Sequence, residues 1–193
     1  MKALNLTIAL LFLSACATKA PMKINNNSIE PGSSVKLKGS TLKLHNGELS
    51  RGDDMAKILK KTNSIELQKK VTIISVVPSI DTKVCEEQTH ILGETKMHPD
   101  VGLVTISRDL PMAQERFARQ AKLENITYIS DYKDASFGKK TGLLIEQSAL
   151  LTRGVIVIDK AGKVAYMQFV DEITELPNMD QAIKFANNLA EKL

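Results

Sequence analysis

One stretch constrains the fold of this chain more than any other: residues 71–88, VTIISVVPSIDTKVCEEQ. Val71, Ile73, Ile74, Val76 and Val77 form a β-branched run too short for a helix. That predicts a buried central strand, which Pro78 stops because its ring nitrogen has no proton for a sheet ladder. The chain must then turn. Asp81 and Thr82 both suit an N-cap, Glu86 and Glu87 suit a first helical turn, and no breaker intervenes before Gly93, so a helix is expected from Thr82. Cys85 then falls at about the third helical position. There it faces unpaired backbone N–H groups and the positive end of the helix dipole, both of which favour a thiolate over a thiol. The Thr82 hydroxyl, three residues back, is within reach of the sulfur.

Elsewhere strands alternate with helices. Val35 and Leu37, then Leu42 and Leu44, alternate with Lys and Thr on either side of Gly39-Ser40, a hairpin signal whose edge lysines discourage aggregation. Met55, Ile58 and Leu59 stand at helical spacing within the ambiguous 52–63 segment. Residues 101–107 alternate as a strand, Pro111 opens a helix through Gln120, 126–130 read as another strand, and 132–140 as a weak helix or loop. Two more strands, 155–158 and 164–166, flank Asp159-Lys160-Ala161-Gly162. Ala182, Ile183, Phe185, Ala186, Leu189, Ala190 and Leu193 share one face of a closing helix capped by Asn178 or Asp180. With 193 residues, enough for one sizeable core, this order predicts a single α/β domain over 35–193: a central mixed β-sheet flanked by helices, with an N-terminal β-hairpin.

The first twenty residues set expectations for the compartment. Lys2 followed by 6–13, apolar except for Thr7, is too short to span a bilayer but suits a signal-peptide core over 1–15. Leu13-Ser14-Ala15-Cys16 resembles the lipobox of bacterial lipoproteins, which implies lipid attachment and a new N-terminus at Cys16. Two or more acyl chains would hold the domain on a membrane, where one holds it only marginally. Ala17 rather than Asp follows, which by resemblance to Gram-negative sorting rules implies the outer membrane, facing the periplasm. The alternative is a plain secretory signal with a chance cysteine. Residues 16–34 carry Pro21, Asn25-Asn26-Asn27 and Pro31-Gly32 without periodicity, and are expected to form a lipidated flexible tether. A balance of 26 basic against 22 acidic residues is too mild to imply nucleic acid. The lysine clusters lack interleaved aromatics and read as solvated faces. His45, His90 and His98 show no ligand spacing, so no metal is expected.

Pro78, Thr82 and Cys85 stand in the order P-x-x-x-T-x-x-C, which resembles the active-site motif of peroxiredoxins. The fuller string SIDTKVC resembles their thiol peroxidase subfamily, the atypical two-cysteine kind. Residues 36–49 (KLKGSTLKLHNGEL) resemble its N-terminal hairpin, 107–117 (SRDLPMAQERF) its middle segment and 150–164 (LLTRGVIVIDKAGKV) its arginine-bearing strand, so the likeness runs over about 35–193. The resemblance implies a thioredoxin-like fold, a hydroperoxide substrate, a thiol reductant, no cofactor, and a homodimer. Met55-Ala56-Lys57-Ile58 stands where the family shows Ala-Pro-x-Phe, a local departure near the approach to the site.

The chemistry implied rests on an ionised sulfur. An ordinary thiol is only about 3% thiolate at neutral pH. Ionising most of it takes roughly 3.4 kcal/mol, against ~0.3–1 kcal/mol from a helix terminus, so a cation is needed as well. Arg153 fits: it cannot be deprotonated, and in the family the matching arginine contacts both sulfur and peroxide. Cys85 would attack the nearer oxygen of the hydroperoxide while Thr82, backbone N–H groups and Arg153 donate to the developing alkoxide, with Pro78 walling the pocket. The sulfenic acid that results must then be reduced. The subfamily keeps its resolving cysteine in the segment after the aligned Arg-Phe, and here Arg116-Phe117 is followed by Ala118. The expectation is therefore a one-cysteine mechanism, with a thioredoxin-like protein or a low-molecular-weight thiol as external reductant. The same loss motivates a second reading, a non-catalytic membrane-tethered binding or scaffolding lipoprotein.

Overall fold

The computed structural model describes residues 21–67 and 70–193. In chain order, a short strand β1 (Ile24–Asn25) precedes the hairpin β2 (Ser34–Leu37) and β3 (Ser40–Lys43), and helix α1 (Met55–Asn63) leads to β4 (Val71–Val76) and α2 (Lys83–Glu94). Next come β5 (Val101–Ser107), α3 (Pro111–Ala121), β6 (Thr127–Ser130) and α4 (Ser136–Thr141). The chain closes with β7 (Gly154–Ile158), β8 (Val164–Phe169), the two-residue β9 (Leu176–Pro177) and α5 (Met179–Ala190). Among the described residues no helix is long and apolar enough to cross a membrane.

The five-stranded sheet has the order β6-β5-β4-β7-β8. It is mixed, as expected: β4 runs parallel to β5 and antiparallel to β7. The branched run of β4 is buried along its whole length at the centre. Its alternation divides the core in two. Ile74 and Val76 pack with Met55 and Leu59 of α1 and Phe137 of α4 on one face, while Val71 and Ile73 pack with Leu92 of α2 and Ala182, Ile183 and Ala186 of α5 on the other. Each fully buried aliphatic side chain contributes about 1.5–3 kcal/mol of transfer free energy, which is why the register of this strand cannot slip by one residue. At the start of β7 no side chain fits on Gly154, because a Cβ there would lie 2.3 Å from the Phe169 ring. The residue before it, Arg153, is therefore delivered to its place by a tightly packed strand end.

The hairpin turns at Lys38 and Gly39, both with positive φ, the signature of the two-residue turn whose twist matches the strands. The ambiguous 52–63 segment is the helix α1, started by the Asp54 carboxylate accepting from Lys57 N–H. Of the two candidate caps for α5, Asn178 does the work, accepting from Gln181 N–H.

One expectation needs correction. The segment 16–34, read as a flexible tether, is docked where it is described. β1 pairs in parallel with β9, Ile24 opposite Leu176, and Asn25 is buried. The asparagines that suggested a loop find polar partners on the domain instead: Asn25 Nδ2 donates to carboxylates, and Gln168 donates to the Asn25 and Asn27 carbonyls. The leader 1–15 and Cys16 lie outside the described residues.

Candidate active site

The turn after β4 and the first turn of α2 are built from short-range contacts. Pro78 is buried at the strand's end. Beyond it the loop is tied down by Asp109: its Oδ1 accepts from Ser79 Oγ at 2.7 Å, and its Oδ2 accepts from Ile80 N–H at 2.8 Å and Ser107 Oγ at 2.6 Å. The Asp109 carbonyl in turn accepts from Ser130 Oγ, so one residue gathers the chain ends leaving β4, β5 and β6. Helix α2 then begins with Thr82 at the N-cap and Cys85 at the third helical position, as expected. Thr82 has N-cap backbone geometry, but its side chain does not cap. The hydroxyl donates instead to Cys85 Sγ, 2.9 Å away, and also lies 3.3 Å from the Ser79 carbonyl.

Cys85 is a free thiol with none of its surface exposed, packed among Val77, Ile80 and Phe117. From the far side Arg153 reaches it, with Nη2 donating to Sγ at 3.1 Å. The guanidinium is itself buried, 2% exposed, and spends its other donors on the Ile173 carbonyl (Nε, 2.7 Å) and Gln88 Oε1 (Nη1, 2.9 Å). Burial pulls the Arg153 pKa below its ordinary value, and the neighbouring Cys85 sulfur pushes it back up. The group stays charged at any working pH. Of its three acceptors only the sulfur can carry a negative charge, and a buried cation without a countercharge is costly by several kcal/mol.

Sequence reasoning named Pro78, Thr82, Cys85 and Arg153; Thr82 and Arg153 meet at the Cys85 sulfur, while Pro78 stands buried where the strand ends, ahead of that turn. Gln88 was missed. It is fully buried, and its Nε2 donates to Ser75 Oγ at 2.8 Å and the Gly154 carbonyl at 3.0 Å while its Oε1 takes Arg153. Its position three residues after Cys85 puts both on one helical face, a signal that was available. The Ile173 carbonyl was also missed, and a backbone acceptor has no sequence signature. Beside the site a groove of about 330 Å³ runs between α2 and α3, lined by Ile80, Thr82, Lys83, Glu86, Phe117 and Gln120 among others. Thr82 forms part of its wall. The groove therefore adjoins the residue that donates to the sulfur, while the sulfur itself is closed off.

Two nucleophile-activating donors on one buried sulfur, next to an open groove, suit attack on a small polarisable bond whose leaving oxygen takes up charge. Comparison with known proteins agrees. The family model described as Redoxin matches residues 34–183. A thiol peroxidase of Bacillus subtilis (strain 168) is 40% identical over 162 residues, covering 80% of this chain and 97% of that protein. A thiol peroxidase of Staphylococcus haemolyticus is 39% identical over 163 residues, covering 80% and 98%. Among solved structures, a peroxiredoxin-like protein from Aquifex aeolicus superposes with a TM-score of 0.71 at 35% identity, covering 83% of this chain and 99% of that one. The thiol peroxidase from Chromobacterium violaceum, at 18% identity and a TM-score of 0.64, shares the fold.

Proposed function

This chain belongs to the redoxin family as a thiol peroxidase of the peroxiredoxin type, and from that premise we propose that it reduces hydroperoxides at Cys85 by a one-cysteine mechanism, with Thr82, Arg153 and Pro78 forming the site. The observation that carries the reading is the convergence of Thr82 Oγ1 and Arg153 Nη2 on one sulfur, at 2.9 and 3.1 Å. The peroxide enters along the groove past Thr82. A sulfur lone pair attacks the nearer oxygen, the O–O bond breaks, and the leaving alkoxide is held by the same donors until it takes a proton and departs as an alcohol. Cys85 is left as a sulfenic acid. An external thiol condenses with it, releasing water and forming a mixed disulfide, and a second thiol restores the cysteine.

The only other cysteine is Cys16. Lipidated through its sulfur, it would not be available to resolve the sulfenic acid, and Ala118 occupies the place after Arg116-Phe117. The anchor would set the domain on the outer membrane facing the periplasm, which suits organic and lipid hydroperoxides as substrates. A periplasmic thioredoxin-like protein or a low-molecular-weight thiol would be the reductant.

Turnover of cumene hydroperoxide with dithiothreitol tests the catalytic reading. The purified chain is expected to consume the peroxide, and Cys85→Ser to abolish consumption. Equal rates for the two would leave only the scaffolding reading. Cys16→Ala is expected to keep dithiothreitol-driven turnover while losing a palmitate-analogue label; label retained in that variant would refute the lipid site, and turnover lost in it would refute the one-cysteine mechanism.

A further inference from the structure

The match to the family model begins at residue 34. The docked segment before it, from Lys23 to Ile29, is therefore an addition to the matched domain, and its contacts lead to the active site. From its contacts we infer that this N-terminal strap positions Arg153, by clamping the loop whose Ile173 carbonyl holds the guanidinium, and that Asn25 is the positioning residue through which it does so.

The 170–175 loop leaves β8 and returns into β9. Its Ile173 carbonyl, accepting from Arg153 Nε at 2.7 Å, is the acceptor that fixes the plane of the guanidinium opposite its contact with Gln88. On one side the loop is held by the hairpin: Ile173 N–H donates to the Lys36 carbonyl at 2.9 Å, and Lys36 N–H to the Asp171 carbonyl at 2.7 Å. On the other side it is held by the strap. Asn25, 6% exposed, donates through Nδ2 to Asp171 Oδ1 at 2.6 Å and to Glu175 Oε2 at 2.8 Å, bridging residues two before and two after Ile173. Leu176 N–H donates to the Lys23 carbonyl at 2.9 Å, and Gln168 Nε2 to the Asn25 carbonyl at 2.8 Å. The Asn25 amide also holds the Asp171 carboxyl below its ordinary range. Without the amide the Asp171 and Glu175 carboxylates would lose the donor they share, and their repulsion would spread the loop. A guanidinium whose Nε acceptor drifts by an ångström no longer points its remaining donors at sulfur and peroxide together.

This inference rests on the reading of Arg153 as a donor to the reacting oxygen, so the experiment includes Arg153→Lys as its reference. In the full chain, well below the thermal midpoint of each variant, the rate constant of Cys85 with cumene hydroperoxide is compared with that for iodoacetamide, an alkylating agent that releases no oxyanion. Asn25→Ala and Asn25→Asp are expected to lower the peroxide rate about tenfold and the alkylation rate less than about threefold, because geometry toward the leaving oxygen is lost first. Asp171→Asn and Glu175→Gln added to Asn25→Asp place an amide donor opposite the new acceptor on both sides of the bridge and are expected to recover most of the loss. A lower thermal midpoint with an unchanged ratio of the two rates would overturn the inference, making the strap a stabiliser only, and so would failure of the reversed triple variant to recover. If Arg153→Lys itself left the ratio unchanged, the underlying reading of the arginine would fall.

Discussion

Arg153 and Thr82 both donate to the Cys85 sulfur, from 3.1 and 2.9 Å, but one is buried against the sheet and the other stands at the exposed mouth of α2. The contacts of Arg153 join residues 20, 65 and 68 positions apart in the chain; those of Thr82 join residues three apart. The buried half is thus set by the whole tertiary structure and has nowhere to relax. The exposed half is set by a turn and adjusts with it. A fixed cation and a hydroxyl on a turn are positioned differently: the first is held at the sulfur by distant parts of the chain, and the second by the local turn.

The largest effect should come from breaking the buried half. Arg153→Lys keeps a charge but loses the planar fork, so the Ile173 carbonyl, Gln88 Oε1 and the sulfur cannot all be served at once. The rate constant for cumene hydroperoxide, measured by stopped flow, is expected to fall about 10²–10³-fold, the cost of losing a positioned donor to a developing oxyanion. A loss under about threefold would mean that the buried half has no special standing.

The two halves also differ in how far they could be read before the structure. The run 71–77, the breaker Pro78 and the caps that follow specify strand, turn and helix by local rules, and the position of Cys85 in the first helical turn came directly from them. Gln88 lay on the same face and could have been found by the same spacing. Arg153 could not: nothing local in its neighbourhood points to a sulfur 68 residues away, and only the likeness of 150–164 to a known strand identified it. The Ile173 carbonyl is invisible to any side-chain pattern. The strap was misread for a related reason. Asparagines and a proline in an aperiodic stretch usually mean solvated chain, and here their polarity is matched by Asp171, Glu175 and Gln168, partners more than 140 residues away.

A smaller effect tests the exposed half. Thr82→Val removes the hydroxyl while keeping the branched shape, and is expected to cost about 10 to 10² in the peroxide rate. Thr82→Ser keeps the donor and should stay within about threefold, since its extra rotamer freedom is the only loss. If the serine variant fell as far as the valine one, the methyl group packing at the groove wall, and not the hydrogen bond, would be what matters. The comparison would then have to be redrawn as charge against shape.

The smallest expected effect asks whether the exposed half is held together at all, and by what. Asp109 ties Ser79 Oγ and Ile80 N–H, the residues just ahead of Thr82, to Ser107. Asp109→Asn keeps size and one acceptor but presents a donor where a second acceptor was, so one of these bonds is lost at about 1 kcal/mol of stability. The turn then loosens, and the peroxide rate should drop about threefold because Thr82 visits its position over the sulfur less often. If the effect runs through Thr82, it cannot be suffered twice: Thr82→Val on the Asp109→Asn background should cost measurably less than on the native one. Arg153→Lys should cost the same on either background, since the guanidinium is held by Gln88 and Ile173 and not by the turn. A double-mutant cycle showing Asp109 coupled to Arg153 instead would mean that the two donors share one support and that the division drawn above is false.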